Sequence, residues 1–160
     1  MPVHPETLRR VMRHWTTGVT IVCAAHNGHR HGMTVTSFTS ISLEPPLVLV
    51  SLEHGTRTLE LVKQAGTFSV CLLQQGQEGI SDRFGGRETE DTDRFAGLDT
   101  DVELTGAPIL KDCMAYLDCR VVGQHEAGNH TLIIGEVLEA AGEERGDPLV
   151  YFNRNYRRLV

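Results

Sequence analysis

Between Gly32 and Ser42 the chain reads GMTVTSFTSIS, which sets Thr34, Thr36, Ser37, Thr39, Ser40 and Ser42 close together just before the apolar run 47–52. Hydroxyls and backbone N–H groups at such a strand–loop junction suit the carbonyl-rich edge of a planar heterocycle, or a phosphate. The same composition also fits an edge strand with solvent-facing hydroxyls, because β-branched threonine favours strands. Other routes to chemistry are poorly supported. Neither Gly-x-Gly-x-x-Gly nor Gly-x-x-x-x-Gly-Lys-Ser/Thr occurs, so any nucleotide must sit on another scaffold. No Gly-x-Ser-x-Gly elbow supports a serine nucleophile. His26, His29 and His31 cluster on one hairpin but have no carboxylate beside them, so no metal site is expected. Cys23, Cys71, Cys113 and Cys119 form no Cys-x-x-Cys pair; three lie in apolar strand contexts and read as small buried hydrophobes.

The elements that must position the hydroxyl-rich segment are short. Residues 5–14 form a helix: Pro5 suits its first turn, and Leu8, Val11, Met12 and Trp15 follow helical spacing. A strand over 18–25, an Asn27-Gly28 turn and a return over 31–40 make a hairpin. A buried strand follows at 47–52. A second helix spans 56–65, with Thr56 or Thr58 as its cap and Gly66 as its stop. Further strands fall at 68–73, 115–122, 131–140 and 149–152. A short helix is expected over 78–84 and a charged loop over 85–95. Six or seven strands, few helices and no βαβ alternation predict a mainly β protein: a closed or half-closed antiparallel barrel with a few peripheral helices, in one domain over 1–160.

Composition excludes several classes. The 160 residues carry 15 lysines and arginines against 21 acidic residues, for a net charge of −6. That balance argues against a nucleic-acid or anionic-membrane binder. The longest apolar runs fall far short of the ~20 residues that span a bilayer. Arg9, Arg10, Arg13 and His14 interrupt any leader-like apolar stretch at the N-terminus. A soluble, cytoplasmic protein is expected.

Several segments in order carry a likeness. They are Thr17-Gly18-Val19-Thr20, Gly32–Phe38, Ser42-Leu43-Glu44-Pro45-Pro46-Leu47, Gly66-Thr67-Phe68-Ser69-Val70, Arg83-Phe84, Arg94-Phe95, Asn129-His130-Thr131, Gly135-Glu136-Val137 and Pro148-Leu149-Val150-Tyr151-Phe152. Together they resemble the flavin reductase-like family, the short split-barrel flavin proteins that supply reduced flavin to two-component monooxygenases. The resemblance implies a homodimer that binds FMN or FAD near the dimer interface and oxidises NADH or NADPH. It implies that Met33, Thr34, Val35, Thr36 and Ser37 surround the isoalloxazine, with Ser40 also among the cofactor-binding residues. Ser51, Leu52, Thr56 and Thr58 then lie towards the ribityl phosphate, where a helix N-terminus favours an anion. Arg83, beside Phe84, either contacts that phosphate or is a solvated charge.

By the same resemblance His130 lies beside flavin and nicotinamide, where an imidazole can position and polarise. The family usually has Asp before this histidine and this chain has Asn129, which removes a carboxylate that could orient the ring. Tyr151, Arg154 and Tyr156 resemble a region that closes over the nicotinamide, or else serve packing and a charged tail. The implied activity is NAD(P)H:flavin oxidoreduction, with reduced flavin passing to a separate oxygenase. The alternatives are a non-catalytic flavin-binding module and a flavoprotein that passes electrons to another acceptor.

Overall fold

Burial alternates along the apolar run of 46–53: Val48, Val50 and Leu52 are buried on one face while Leu47, Leu49 and Ser51 turn outward. In the computed structural model, which describes residues 1–87 and 93–160, this strand belongs to a seven-stranded antiparallel sheet. The described strands are β1 (Thr17–Gly18), β2 (Thr20–His26), β3 (His29–Val35), β4 (Phe38–Leu43), β5 (Pro46–Glu53), β6 (Thr67–Leu72), β7 (Thr100–Val102), β8 (Pro108–Leu110), β9 (Ala115–Ala127), β10 (His130–Gly142), β11 (Val150–Phe152) and β12 (Asn155–Arg157). The helices are α1 (Pro5–Met12), α2 (Arg57–Ala65) and α3 (Glu78–Asp82), the last running on into a wide helical turn at Arg83–Arg87.

The sheet order is β3-β2-β6-β9-β10-β5-β4. It curls until β3 approaches β5, giving a split barrel whose interior holds Val22, Val35, Val48, Val50, Leu52, Phe68, Val70 and Ile133. Gly135 on β10 is required there: a Cβ at this position would stand 2.5 Å from the Phe68 ring. A second core covers the outer face of β2 and β6, built from Ile21, Cys23, Cys71, Phe84, Phe95, Ile109 and Leu149. Small sheets flank the barrel, β7 with β8 and β1 with β11 and β12.

The hairpin turn at Asn27-Gly28 is as expected, both residues taking positive φ. Thr56 caps α2 by accepting from the Leu59 N–H at 3.4 Å, and Gly66 ends it at φ 70. Leu59 and Val62 of α2 join the barrel core, so this helix closes one mouth of the barrel.

Other expectations need correction. The strand expected over 31–40 breaks at Thr36-Ser37. Val35 and Phe38 both face the interior and lie three apart, so the pleat cannot run through. The first helix ends at Met12 rather than residue 14, and none of its residues is buried. The strands β7, β8 and β12 were not expected at all. Part of the loop expected over 85–95 lies outside the described residues. Cys23, Cys71 and Cys119 are buried and Cys113 is half-buried, all as free thiols. Burial pushes the Cys119 thiol up to about 12. No helix among the described residues is long and apolar enough to cross a membrane.

Candidate functional site

The two residues that break the strand also present polar groups at the open seam of the barrel. Thr36 and Ser37 are exposed. They carry the chain from one sheet edge, β3, to the other, β4, and a reciprocal bond pins the crossing. Ser37 Oγ donates to the Ser51 carbonyl at 2.8 Å, and the Ser51 N–H donates to the Ser37 carbonyl at 3.1 Å. One turn earlier, Thr34 Oγ1 donates to the Ser81 carbonyl at 2.6 Å. Each of these hydroxyls keeps acceptor capacity after its donation.

Two clefts open on this crossing. The smaller, about 250 Å³, lies between Thr34, Thr36, Ser81, Asp82, Tyr151 and Tyr156. Tyr156 Oη donates to Asp82 Oδ1 at 2.6 Å and lies 2.8 Å from Ser81 Oγ, which fixes the ring against α3. Tyr151 packs on Tyr156 with ring centroids 5.6 Å apart. The larger cleft, about 410 Å³, shares Thr36 and Tyr151 with the first and extends past Ser37 and Arg154 to α1, where Arg9, Arg13 and Trp15 line it.

A third cleft, about 550 Å³, lies at the N-terminus of α2, walled by His54, Thr56, Arg57, Lys63 and Glu126. The β9–β10 turn stands over it and carries His130, which is half-buried and pairs across the sheet with Glu53. The His130 Nδ1 lies 2.8 Å from Asn129 Oδ1; because that oxygen only accepts, Nδ1 carries the proton. The His54 N–H donates to the Asn129 carbonyl at 2.9 Å. Below the turn Glu126 accepts from the Thr131 hydroxyl at 3.0 Å and lies 2.7 Å from His54 Nε2. The Thr131 hydroxyl, the His54 ring and Lys63 hold the Glu126 carboxyl below the usual range.

Thus the structure gathers Thr34, Thr36, Ser37, Tyr151, Arg154 and Tyr156 around two joined clefts, and Ser51, Thr56 and His130 along the adjoining strand end. Four expected contacts have no side-chain surface to offer. Val35 and Leu52 belong to the barrel core, and Phe84 packs edge-on against Phe95 at 5.1 Å. Thr58 is fully buried, its hydroxyl 2.8 Å from His31 Nδ1. These residues shape the site from behind, as does Met33, which leans on the barrel interior. Ser40 is exposed on β4. Arg83 uses Nη1 on the carbonyls of Ala96 (2.8 Å) and Arg94 (3.3 Å), which stitches α3 to the following turn.

Residue-by-residue reading missed Ser81 and Asp82, because nothing local marks a helix end as the partner of a distant tyrosine. It also read Trp15 only as one more residue at helical spacing, whereas it lies beyond α1 and lines the larger cleft. Arg94 is buried, donating from Nη1 to the carbonyls of Gly32 at 2.9 Å and Phe84 at 3.1 Å, and so fixes the wall behind Thr34.

Residues 12–160 match the flavin reductase like domain. The chain is 37% identical over 155 residues to the reductase component of 4-hydroxyphenylacetate 3-monooxygenase from Thermus thermophilus, covering 97% of each chain. It is 38% identical over 154 residues to the FMN reductase (NADH) SmoA of Agrobacterium fabrum, covering 96% of this chain and 86% of that one. Among solved structures, flavin reductase PheA2 in its native state superposes with a TM-score of 0.89 at 37% identity over 99% of both chains. The NADH:FAD oxidoreductase SgcE6 of Streptomyces globisporus, in complex with NAD and FAD fragments, gives 0.90 at 32% identity, covering 100% of this chain and 97% of that one. With a matched fold, matched motifs and near-complete mutual coverage, the chain belongs to the flavin reductase like family.

Proposed function

We propose that the chain is an NAD(P)H-dependent flavin oxidoreductase that reduces FMN or FAD with NADH or NADPH and releases reduced flavin to a separate oxygenase component. The observation that carries this reading is the hydroxyl-bearing crossing Thr34–Ser37, open to solvent and flanked by Tyr151 and Tyr156. The names of relatives at 37% and 38% identity support it: a monooxygenase reductase component and an NADH-dependent FMN reductase.

The residues present fit a flavin. A flat ring needs hydrogen-bonding groups along its polar edge and apolar or aromatic contact on its face, and the crossing and its tyrosines supply both. Its phosphate tail suits the N-terminus of α2 near Ser51 and Thr56, where unpaired N–H groups and the helix dipole favour an anion. When bound, the flavin supplies a hydride acceptor for the nicotinamide, which requires the rings to stack about 3–3.5 Å apart.

The protein's work is then positional. Thr34, Thr36 and Ser37 set the ring's height and register. The tie of Ser37 to Ser51 on β5 and that of Thr34 to Ser81 on α3 keep that register fixed. His130, held through Nδ1 by the Asn129 side chain, is fixed in place on the strand end next to Ser51 and the N-terminus of α2. Arg83 braces α3, and so Ser81 and Asp82, against the smaller cleft.

We further propose a homodimer that works in the cytoplasm as one domain over 1–160. The apolar side chains of α1, Leu8, Val11 and Met12, are more than half exposed and gain burial only from a second copy.

Oxidation followed at 340 nm, with NADH or NADPH and with FMN, FAD, riboflavin or no flavin, tests the reading. Consumption that depends on added flavin is expected. Bound flavin without consumption would leave only a binding module. His130→Ala is expected to lower kcat while flavin affinity stays within a few-fold, and unchanged turnover would remove His130 from the reaction.

A further inference from the structure

Resting on the reductase reading and its placement of the flavin phosphate at the N-terminus of α2, we propose that Glu126 sets how tightly that phosphate is held. Its carboxylate acts as a counter-charge that keeps flavin binding weak, as suits a flavin that must leave once reduced.

The charged residues that wall the α2 cleft are balanced: Arg57 and Lys63 stand against Glu60 and Glu126, with His54 beside them. The backbone N–H groups and dipole of α2 favour an anion there, yet the side chains add little net positive charge. A cleft built to retain a phosphate would leave its cations unopposed.

Arg57, Glu60 and Lys63 all belong to α2, whereas Glu126 is delivered from β9. The two carboxylates are engaged differently. Glu60 accepts from Gln64 Nε2 at 3.2 Å, one turn along the same helix. Glu126 instead reaches the cationic side of the cleft, 2.7 Å from His54 Nε2 and 3.8 Å from Lys63 Nζ.

A cross-strand neighbour aims it there. Thr131 pairs with Glu126 in the β9–β10 register, and its hydroxyl donates to Glu126 Oε1 at 3.0 Å. That bond, followed by His54 and Lys63, holds the carboxyl below the usual glutamate range, so it is negative near neutral pH.

This network can act in two ways that differ in sign. As a clamp on the β5–α2 loop, Glu126 would weaken every flavin when lost. As a counter-charge, its loss removes a repulsion and frees the Lys63 ammonium, which strengthens only flavins that carry phosphate. The geometry points to the second. Backbone bonds already hold the loop without the carboxylate, from the His54 N–H to the Asn129 carbonyl at 2.9 Å and through the β5–β10 pairing. The Glu126 side chain is 62% exposed, so little packing depends on it.

The test measures binding of FMN and of riboflavin, by quenching of flavin fluorescence, to the parent, Glu126→Gln and Glu126→Asp. Gln keeps an acceptor for Thr131 and removes the charge; Asp keeps the charge on a shorter stem. Working at about pH 8.5, above the ordinary imidazole range, holds histidine charge constant across the variants. In low salt Glu126→Gln is expected to bind FMN roughly three- to tenfold more tightly than the parent, and riboflavin within about twofold. The gain should shrink towards nothing at about 0.5 M salt, because the carboxylate is exposed. Glu126→Asp should stay within about twofold of the parent for both flavins.

Weaker binding of both flavins by Glu126→Gln would assign the residue to the clamp and overturn the proposal. Unchanged FMN affinity, an equal gain for riboflavin, or the same gain in Glu126→Asp would overturn it too. Binding is read without turnover, so the two readings fail separately. A parent that binds flavin but leaves NADH unoxidised sinks the reductase reading, and an FMN-selective gain still upholds the counter-charge. A flavin-dependent NADH oxidase whose Gln variant shows no such gain keeps the reading and sinks the counter-charge.

Discussion

The helices α1 and α2 are nearly equal in length, both amphipathic and both capped at the N-terminus by a side chain, His4 for one and Thr56 for the other. Their fates differ. Thr58, Leu59 and Val62 of α2 are buried, and its apolar stripe is continuous with the barrel core. No residue of α1 is buried, and Leu8, Val11 and Met12 remain 51–60% exposed. Periodicity reports that a helix has an apolar face, and nothing about what covers it. The partner of α2 lies within the same chain; among the described residues α1 has no element that buries its apolar face, which leaves that face for the proposed second copy.

Cutting into each apolar face gives the largest expected contrast. Leu59→Ala removes core contacts and should cost about 2–5 kcal/mol of unfolding free energy, independent of protein concentration. Leu8→Ala should leave the unfolding of dilute chain nearly unchanged and instead raise the dissociation constant measured by sedimentation. A concentration-independent loss of similar size in both variants would erase the distinction.

Caps come next. Thr56→Ala should cost about 1 kcal/mol by denaturant titration, because α2 is held in place and cannot fray away from the loss. His4→Ala at the exposed helix should fall within about 0.5 kcal/mol of the parent.

The smallest effect concerns Glu126, at the end of β9 just before the His130 turn. The Glu126 carboxyl titrates lower in the folded chain than in the unfolded one, so its charged form stabilises the fold above the usual glutamate range. That contribution fades as pH falls through the lowered value. Since Glu126 is exposed, Glu126→Gln should lower the denaturation midpoint only slightly near neutral pH and not at all in acid. A gap between parent and variant that widens on acidification would show the sign to be wrong.

Much of this arrangement was legible in the residues. Pro5 and the Leu8–Val11–Met12 spacing marked α1, Thr56 and Gly66 bounded α2, and Asn27-Gly28 turned the first hairpin. Local rules settle these features. The break at Thr36-Ser37 was legible in principle, because an inward Val35 and an inward Phe38 cannot share one pleat; reading 31–40 as one strand ignored that parity. The short strands β7, β8 and β12 have too few residues to show a period, and only tertiary pairing makes them strands. The candidate site was half legible. Hydroxyl density and family likeness marked the crossing, the tyrosines and His130. Arg13, Ser81 and Asp82 come from segments far away in sequence that folding brings to the same clefts.

The strand β4 has a consequence for how these molecules coexist at high concentration. It is one of the two edges of the barrel sheet and bears Ile41 and Leu43 outward, 49% and 84% exposed, beside the crossing at Thr36-Ser37. A straight apolar edge of this kind is a template on which stray chains can add as further strands. Ile41 is unpaired: the register slips between Ser40 and Ser42, so the free N–H and C=O groups are not evenly spaced. An incoming strand can match the edge for only a few residues before it falls out of step. The kink thus works against strand addition along this apolar border.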